Sequence, residues 1–466
     1  MTETDWRTTR VTWIILHPRN PEVLVAGEPG DARLPVIELP GDVWMGEPEG
    51  TTGALSEQLG LDTVMLYCAD RIDDREDRVQ KLAIVATPRP GAALPGETRW
   101  IGAGAIAGPA AAIASQVVAD LTTGRLRATR PPWTLPDWFE QAERWLRSAI
   151  EPHGYQVTGP ARQVRVWDMS CVLRVPTTHG DVFLKAAAES PLFANEATVV
   201  PALAELFPAR VPEPLATDGA RRWLALPDHG RELASDETHW TVPIEVREAV
   251  AAAAARMQRD AAGHTAQLAA AGCLSRDLEW LATEATSWLP VVGATGNQPG
   301  IDVASWLTPG EAAELGSAAP RLVALCAELA GYAVPITLVH GDLLLSNVAT
   351  GPAGYLFFDW TDACLAHPFV DMLDIHQEED AAVQNRLRDA YLREWTAFEP
   401  PERLLRAWIL AGPLAALHHA VSYRSIVAEM QPPIDGHMLV STAYWLRKII
   451  AGLRRLDEVP RPKKDP

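Results

Sequence analysis

The chain has 466 residues and a mass of 50.7 kDa, with 47% apolar residues, 60 acidic and 41 basic side chains, and a net charge of −19 at pH 7. This length exceeds what one hydrophobic core usually organises, so we expect at least two domains. The negative charge opposes binding to phosphate backbones and to anionic membrane surfaces, so we expect neither nucleic acid nor a membrane as a partner.

The cysteine usage and the N-terminus indicate a cytoplasmic protein. The five cysteines are scattered and form no Cys-x-x-Cys pair, which fits a reducing compartment better than a disulfide framework or a metal site. The first residues lack the basic start and apolar run of a signal peptide. The sequence leaves the oligomeric state open.

The first 128 residues alternate strand-like runs with one helical segment. The strand-like runs are 11–16, 23–26 and 82–86, and the helical segment 50–61 reaches Glu57-Gln-Leu-Gly60 near its end. With the later run Glu97-Thr-Arg-Trp100, this segment resembles a Nudix fold. The resemblance implies an α/β domain over residues 1–128.

The carboxylates that a working Nudix site needs are missing from this helical segment. A Nudix box presents several carboxylates from one helix face to chelate Mg²⁺. Gly53, Ala54 and Gln58 occupy three of the charged positions, and only Glu57 remains. We therefore predict a non-hydrolytic domain that serves packing, recognition or regulation.

A new unit is predicted to begin after two prolines near residue 131. Apolar residues recur at helical spacing from Trp138 to Ile150 and predict an amphipathic helix. Two strand-like runs, 172–175 and 182–185, then predict a hairpin that ends on Lys185.

A helix that carries Glu196 is predicted next. Ser190 and Pro191 form an N-cap and first-turn pair ahead of it. Further on, residues 223–227 predict a strand that contains Leu226. Ala- and Leu-rich patterns after residue 242 predict a helical lobe.

The strongest chemical signal is the run His340-Gly-Asp-Leu-Leu-Leu-Ser-Asn347, which follows the strand-like run 336–339. A second strand-like run, 355–358, ends at Asp359. Phosphoryl transfer needs a group that orients and deprotonates the substrate hydroxyl, and oxygen ligands that hold Mg²⁺ against the nucleotide phosphates. Asp342 is predicted to be the first, and Asn347 and Asp359 the second.

These residues, with others close behind, resemble the aminoglycoside phosphotransferase (choline-kinase-like) superfamily of small-molecule kinases. The matching positions are His340-Gly-Asp342, Asn347, Asp359-Trp360, His367-Pro368 and Asp371. Gly341 stands where protein kinases have an arginine, and no Ala-Pro-Glu motif follows.

The resemblance implies an α+β, protein-kinase-like two-lobe fold that follows the Nudix-like domain. Residues 129–235 would form the β-rich N-lobe with its leading helix, and residues 236–466 the helical C-lobe. Lys185 would bind the α and β phosphates of ATP, Glu196 would pair with Lys185, and backbone groups around Leu226 would receive adenine. The segment 163–174 departs from the protein-kinase pattern because it contains no glycine.

An acidic run lies behind the predicted metal ligands: Asp374, Glu378, Glu379 and Asp380. In antibiotic kinases such acids receive substrate ammonium groups, but a charge run on a helix is more often solvent-exposed, and we expect the exposed arrangement here.

Three functions remain open at this stage. The first is an ATP- and Mg²⁺-dependent kinase for a hydroxyl group of a small polar molecule, such as an aminoglycoside-like antibiotic, an amino alcohol or a sugar. The second is a catalytically silent kinase-like binding or scaffold protein. The third is a Nudix hydrolase with an accessory kinase-like domain. The intact set of phosphoryl-transfer residues favours the first.

Overall fold

The computed structural model describes residues 6–27, 32–106, 108–193, 195–235, 238–295, 307–433 and 436–458. The chain forms two compact units. The first contains Met1–Ser190, Leu215–Asp228 and Glu429–Ile434, and the second contains Pro191–Pro214, His229–Ala428 and Asp435–Pro466. The predicted domain limits at residues 128 and 235 stay predictions.

The first unit holds most of the strands. Its strands are β1 (Thr8–Ile15), β2 (Glu22–Ala26), β3 (Val36–Pro40), β4 (Thr63–Asp74), β5 (Val79–Pro88), β6 (Thr98–Gly102), β7 (Arg162–Val166), β8 (Ser170–Thr177), β9 (Gly180–Ala187), β10 (Ala216–Asp218) and β11 (Trp223–Pro227). Its helices are α1 (Pro48–Leu59), α2 (Ala111–Thr122), α3 (Arg125–Thr129) and α4 (Trp138–Ile150).

A four-stranded mixed sheet of order β3-β1-β5-β4 organises the N-terminal part of this unit. Strands β1 and β5 are parallel, and the outer strands pair antiparallel to them. Successive side chains of β1 lie in two separate apolar clusters. Ile14 lies in a cluster with residues of α2, and Ile15 lies in a cluster with Leu55 of α1. Since side chains alternate across a strand, the sheet is buried on both faces between two helices. The predicted helix is α1, and Gly60 ends it at φ +70°.

A five-stranded antiparallel sheet of order β10-β11-β9-β8-β7 follows. It contains the predicted hairpin as β8 and β9, with Lys185 opposite Val172. Its inner face packs on α4, whose bounds match the predicted helix, through residues such as Phe139 and Leu184. Alternation places Lys185 on the other face.

The second unit is mainly helical, as predicted. Its helices are α5 (Glu196–Leu206), α6 (Ile244–Ala261), α7 (Thr265–Ala270), α8 (Leu278–Thr295), α9 (Pro309–Leu329), α10 (Leu373–Gln377), α11 (Ala381–Arg393), α12 (Pro401–Glu429) and α13 (Gly436–Glu458). Its strands are β12 (Leu274–Ser275), β13 (Thr337–Val339), β14 (Val348–Gly351), β15 (Gly354–Phe357) and β16 (Cys364–Ala366). They form the sheets β12-β16-β13 and β14-β15.

Helix α12 is long and apolar enough to cross a membrane by length and composition alone. However, 78% of its most apolar 18-residue window is buried inside the protein. Burial on this scale is typical of a helix at the centre of a folded core.

The predicted start of the Glu196 helix is wrong. Helix α5 begins at Glu196 itself, after Asn195, and not at Ser190. The Ser190 hydroxyl is buried and has no hydrogen-bond partner among the described residues, so it caps no helix. The local capping preference of the pair Ser190 and Pro191 therefore does not set the start of this helix.

Candidate active site

The chain leaves β13 at Val339 and turns at once through His340, Gly341 and Asp342. The fully buried carboxylate of Asp371 holds this turn in place. Its two oxygens accept the backbone N–H groups of His340, at 2.8 Å, and Gly341, at 3.2 Å. A carboxylate that accepts two backbone N–H groups fixes the path of the turn.

Gly341 is required by two independent features of this turn. Its φ angle of +83° lies in the region that side-chain-bearing residues rarely adopt. A Cβ atom at this position would also lie 2.6 Å from the Cβ and from the carbonyl oxygen of Asp362. The position that carries arginine in protein kinases therefore has no room for any side chain here.

Asp342 and Asn347 are brought together, as the five-residue spacing predicts. The Asn347 Nδ2 donates to the backbone carbonyl of Asp342 at 2.7 Å and lies 3.1 Å from its Oδ2. The backbone N–H of Asn347 donates to the Leu344 carbonyl and closes a short 3₁₀ turn. These contacts fix the orientation of the Asn347 amide and direct its Oδ1 away from Asp342.

The Asp359 segment follows β15 and is held by Glu196. Asp359 has a φ angle of +60°, a strained value for a residue other than glycine. The buried carboxylate of Glu196 accepts the backbone N–H of Trp360 at 3.0 Å. The Thr361 hydroxyl lies 3.1 Å from Glu196 Oε2 and 2.8 Å from Asp359 Oδ1, and its single proton serves one carboxylate at a time.

The His340 ring joins these two loops. Its Nε2 lies 2.9 Å from the carbonyl oxygen of Phe358, so Nε2 carries the proton. Its Nδ1 is then the acceptor for the backbone N–H of Asp342 at 3.4 Å. The ring also lies 4.4 Å from the Trp360 ring, centroid to centroid. One side chain thus ties the Asp342 turn to the Asp359 segment.

Asp371 is supported by two residues that no sequence motif indicates. Gln258 of α6 donates to Asp371 Oδ2 at 2.8 Å, and its own Oε1 accepts the hydroxyl of Tyr391. The Tyr391 hydroxyl also lies 3.0 Å from the Pro368 carbonyl. Burial raises the pKa values of both Asp371 and Tyr391. No motif joins these three positions, so only the tertiary structure identifies the network.

The predicted nucleotide-binding residues lie in separate units. Lys185 and Leu226 are in the first unit, and Glu196 is in the second. Pairing of β10 with β11 spans Trp223–Ala225 and ends one residue before Leu226. The predicted ion pair of Lys185 with Glu196 and the adenine contact at Leu226 stay predictions.

The expectation for the acidic run is wrong for two of its four members. Arg247 of α6, which is 5% exposed, binds Asp374 at 3.0 Å and Glu378 at 2.8 Å. Burial of an arginine demands paired carboxylates, so these two acids are neutralised inside the protein. Glu379 is exposed, and Asp380 caps α11 by accepting the N–H groups of residues 382 and 383.

The oxygen atoms at the site suit a magnesium ion. Mg²⁺ prefers carboxylate and amide oxygens, and it commonly takes only one or two ligands from the protein and the rest from phosphates and water. The Asn347 Oδ1 and the Asp359 carboxylate are ligands of this kind. Within the described ranges, no group of three or more His, Cys, Asp or Glu side chains is arranged to hold a metal by itself.

Comparisons with known proteins agree with this arrangement. A family model described as the phosphotransferase enzyme family matches residues 161–406. No curated protein matches the chain.

The chain is also similar to several solved structures. A choline/ethanolamine kinase family protein from Mesorhizobium loti is 18% identical, with 67% of this chain and 94% of that chain covered and a TM-score of 0.48. An ethanolamine kinase from Plasmodium vivax is 11% identical, with coverage of 64% and 81% and a TM-score of 0.44. A macrolide 2'-phosphotransferase from Brachybacterium faecium is 18% identical, with coverage of 62% and 99% and a TM-score of 0.41.

The family model spans more than half of the chain and runs from the start of β7 into α12. It includes Lys185, Glu196 and the whole Asp342 to Asp371 region. The protein therefore belongs to the phosphotransferase enzyme family.

Proposed function

We propose that the protein transfers the γ-phosphoryl group of ATP, in the presence of Mg²⁺, to a hydroxyl group of a small polar molecule. Aminoglycoside-like antibiotics, amino alcohols and sugars are the acceptor classes to test. The observation that supports the proposal is the double contact of the Asn347 amide with Asp342, because the residue proposed as proton acceptor and the residue proposed as metal ligand then lie side by side in one turn.

Asp342 is assigned to the acceptor hydroxyl. Its carboxylate orients the hydroxyl and receives its proton as the new P–O bond forms and the bond from the γ-phosphorus to the leaving β,γ-bridging oxygen breaks. The Asn347 amide, 3.1 Å from Oδ2, limits rotation of that carboxylate. Asp342 therefore meets the hydroxyl in one orientation, which lowers the entropic cost of the reaction.

Asn347 and Asp359 are assigned to the metal. When bound there, Mg²⁺ supplies positive charge to the nucleotide phosphates. Glu196 keeps the Asp359 segment in its strained conformation through the N–H of Trp360. Lys185 is assigned to the α and β phosphates with Glu196 as its ion-pair partner, and the backbone at Leu226 to adenine.

The first 128 residues are assigned a non-hydrolytic Nudix-like role. Helix α1 places Gly53, Glu57 and Gln58 at exposed positions, so a single carboxylate faces solvent at these three places. The five cysteines are all free thiols, which supports our assignment of the protein to the cytoplasm.

Thermal unfolding with and without Mg²⁺-ATP tests the proposal without knowledge of the acceptor. A ligand bound only by the native state raises the apparent stability, by about 2.7 kcal/mol at a concentration of 100 Kd. We expect a magnesium-dependent rise in Tm for the wild type and its loss in Asp359→Asn. The control is Asp389→Asn at an exposed carboxylate of α11, which should respond like the wild type.

The alternative function is a catalytically silent kinase-like scaffold. Absence of any stabilisation at millimolar Mg²⁺-ATP would favour that alternative over the kinase. A positive result is followed by a screen for transfer of labelled phosphate to aminoglycosides, amino alcohols and sugars.

A further inference from the structure

The turn between β7 and β8, residues 167–169, belongs to the same five-stranded sheet as Lys185, and its Met169 carbonyl accepts the N–H of Ala188, just after β9. Lys185 is opposite Val172, and Val172 is opposite Arg165, so the three residues share one row across the sheet. The turn begins two residues after Arg165, which is about 7 Å along the strand. In a kinase, the turn beside the phosphate-binding lysine covers the nucleotide phosphates.

This turn contains no glycine and is held by side chains from other segments of the first unit. Trp133 donates its indole N–H to the Trp167 carbonyl at 3.0 Å. Asp168 accepts the backbone N–H of Gln431 at 3.2 Å and lies 4.0 Å from Arg130. Both members of the pair of Asp168 and Arg130 are mostly buried. The turn is thus fixed at two successive residues.

Arg130 links the turn to the N-terminal sheet. Its guanidinium lies over the ring of Tyr67 in β4, 4.2 Å from the centroid. It also donates to the backbone carbonyl of Pro432 at 3.1 Å. One arginine therefore joins the turn, the N-terminal sheet and the segment that follows α12.

Strand β7 is joined to the N-terminal part of the unit along its outer edge. The buried side chain of Gln163 accepts the N–H of Met65 and donates to its carbonyl, both at 2.8 Å, at an irregularity in β4. The N–H of Val166 donates to the Gly46 carbonyl at 2.9 Å, just before α1. An edge strand has unpaired backbone groups along its outer side. These hydrogen bonds hold β7, the edge strand that leads into the turn, in one position.

We propose that the N-terminal Nudix-like domain is a positioning domain for nucleotide binding, which holds the β7–β8 turn over the phosphates of ATP. It acts through positioning residues of the segment that follows it: Gln163, which binds Met65, and Arg130, which lies over Tyr67 and faces Asp168 of the turn. The inference rests on the proposed nucleotide-binding function and adds a role for the first 128 residues. A turn that is already ordered loses little conformational entropy when the ligand binds, so the external contacts replace the adaptability that glycines give in protein kinases.

We expect disruption of these contacts to weaken binding of the phosphate groups of the nucleotide and to leave binding of adenosine unchanged. Calorimetric titration of the full-length protein would compare Mg²⁺-ATP with adenosine, which lacks phosphates. In Gln163→Leu, two buried hydrogen bonds are lost, and we expect the Kd for Mg²⁺-ATP to rise about tenfold. The Kd for adenosine should differ from the wild-type Kd by no more than about twofold, because energetic coupling between distant sites is usually this small.

A matched control and a milder variant complete the design. Gln141→Leu removes a glutamine of the same unit whose side chain bonds only across one exposed turn of α4, so both Kd values should equal those of the wild type. Asp168→Asn keeps an acceptor for the Gln431 N–H but loses the charge facing Arg130, and we expect about a threefold rise in the Kd for Mg²⁺-ATP. If Gln163→Leu does not fold by circular dichroism, Asp168→Asn decides the question.

Two results would overturn the inference. The first is an unchanged Kd for Mg²⁺-ATP in the folded variants, and the second is an equal loss of ATP and adenosine binding, which would indicate general loosening of the unit. Failure of the proposed function is distinct from both, because the wild type itself would then bind neither ligand.

Discussion

The Asn347 amide contacts both the backbone carbonyl and the carboxylate of Asp342, at 2.7 and 3.1 Å. A single side chain therefore controls where the carboxylate of the proposed proton acceptor points, and its Oδ1 takes no part in these two contacts. Substitution of the proposed proton acceptor and substitution of a proposed metal ligand should therefore differ in their effects on catalysis and on nucleotide binding.

Asp342→Ala and Asp359→Ala should separate catalysis from nucleotide binding. Asp342→Ala removes the proposed proton acceptor and should lower kcat for phosphate transfer by about 10²–10⁴-fold while Mg²⁺-ATP binds as in the wild type. Asp359→Ala removes a proposed metal ligand and should impair both kcat and nucleotide binding. Steady-state kinetics and calorimetric titration measure the two effects, and equal losses of nucleotide affinity would contradict these roles.

Gly341→Ala should destabilise the protein severely. The new Cβ meets Asp362 at 2.6 Å in addition to the unfavourable φ angle, so we expect a loss of about 3 kcal/mol or more in the free energy of unfolding. Gly354→Ala is the control, because its φ is +107° but nothing lies within 4 Å of the new Cβ. Urea unfolding should show about 1–2 kcal/mol for the control. A similar loss of stability in both variants would mean that Asp362 moves away from the new Cβ in Gly341→Ala.

Buried His367 should make the second unit sensitive to acid. Burial lowers the pKa of His367 to about 3, below the unfolded value near 6.5. As the pH falls, the unfolded chain takes up the proton first, so the stabilisation is complete above about pH 6.5 and is lost towards pH 3. Between pH 7.5 and 5 the loss from this residue is roughly 2 kcal/mol.

His367→Asn tests this sign. The asparagine oxygen replaces Nδ1 as the acceptor for the Phe369 N–H but does not titrate. Urea unfolding at pH 7.5 and at pH 5 should show a smaller loss in the variant than in the wild type. An equal loss in both proteins would assign the acid sensitivity to other groups.

Arg247→Met should show that Asp374 and Glu378 are structural. Removal of the arginine leaves two mostly buried carboxylates without their cation, and we expect a loss of about 3–5 kcal/mol in the free energy of unfolding. Arg386→Met removes an exposed arginine that pairs with Glu245 and Glu248, and its unfolding midpoint should match that of the wild type. A stable Arg247→Met protein with altered acceptor specificity would instead favour a substrate role for the acids.

The local features of the site were predictable from the sequence. The strands that precede His340 and Asp359 follow from apolar runs, and the approach of Asn347 to Asp342 follows from their spacing within one short turn. Both depend on interactions between near neighbours in the chain, which sequence patterns encode directly.

The features that depend on distant contacts were not predictable. Arg247 and Asp374 are 127 residues apart, and Gln258 and Asp371 are 113 residues apart. Ser190 caps no helix, since α5 begins only at Glu196, although Ser190 and Pro191 form a typical capping pair in the sequence. Composition and periodicity describe which segments are apolar, but not which charged side chain meets which partner inside the fold.

The first unit is assembled from three separate stretches of the chain. Strands β10 and β11, which complete its five-stranded sheet, are synthesised only after residues 191–214 of the second unit, and Gln431 comes much later. Because chains emerge from the ribosome N-terminus first, the edge of β9 that pairs with β11 stays unpaired until β11 has been synthesised. The turn at residues 167–169 gains its contact with Gln431 only after 263 further residues have been added to Asp168, so a chain that ends before Gln431 would contain Lys185 and Asp342 and still lack one of the contacts that hold this turn.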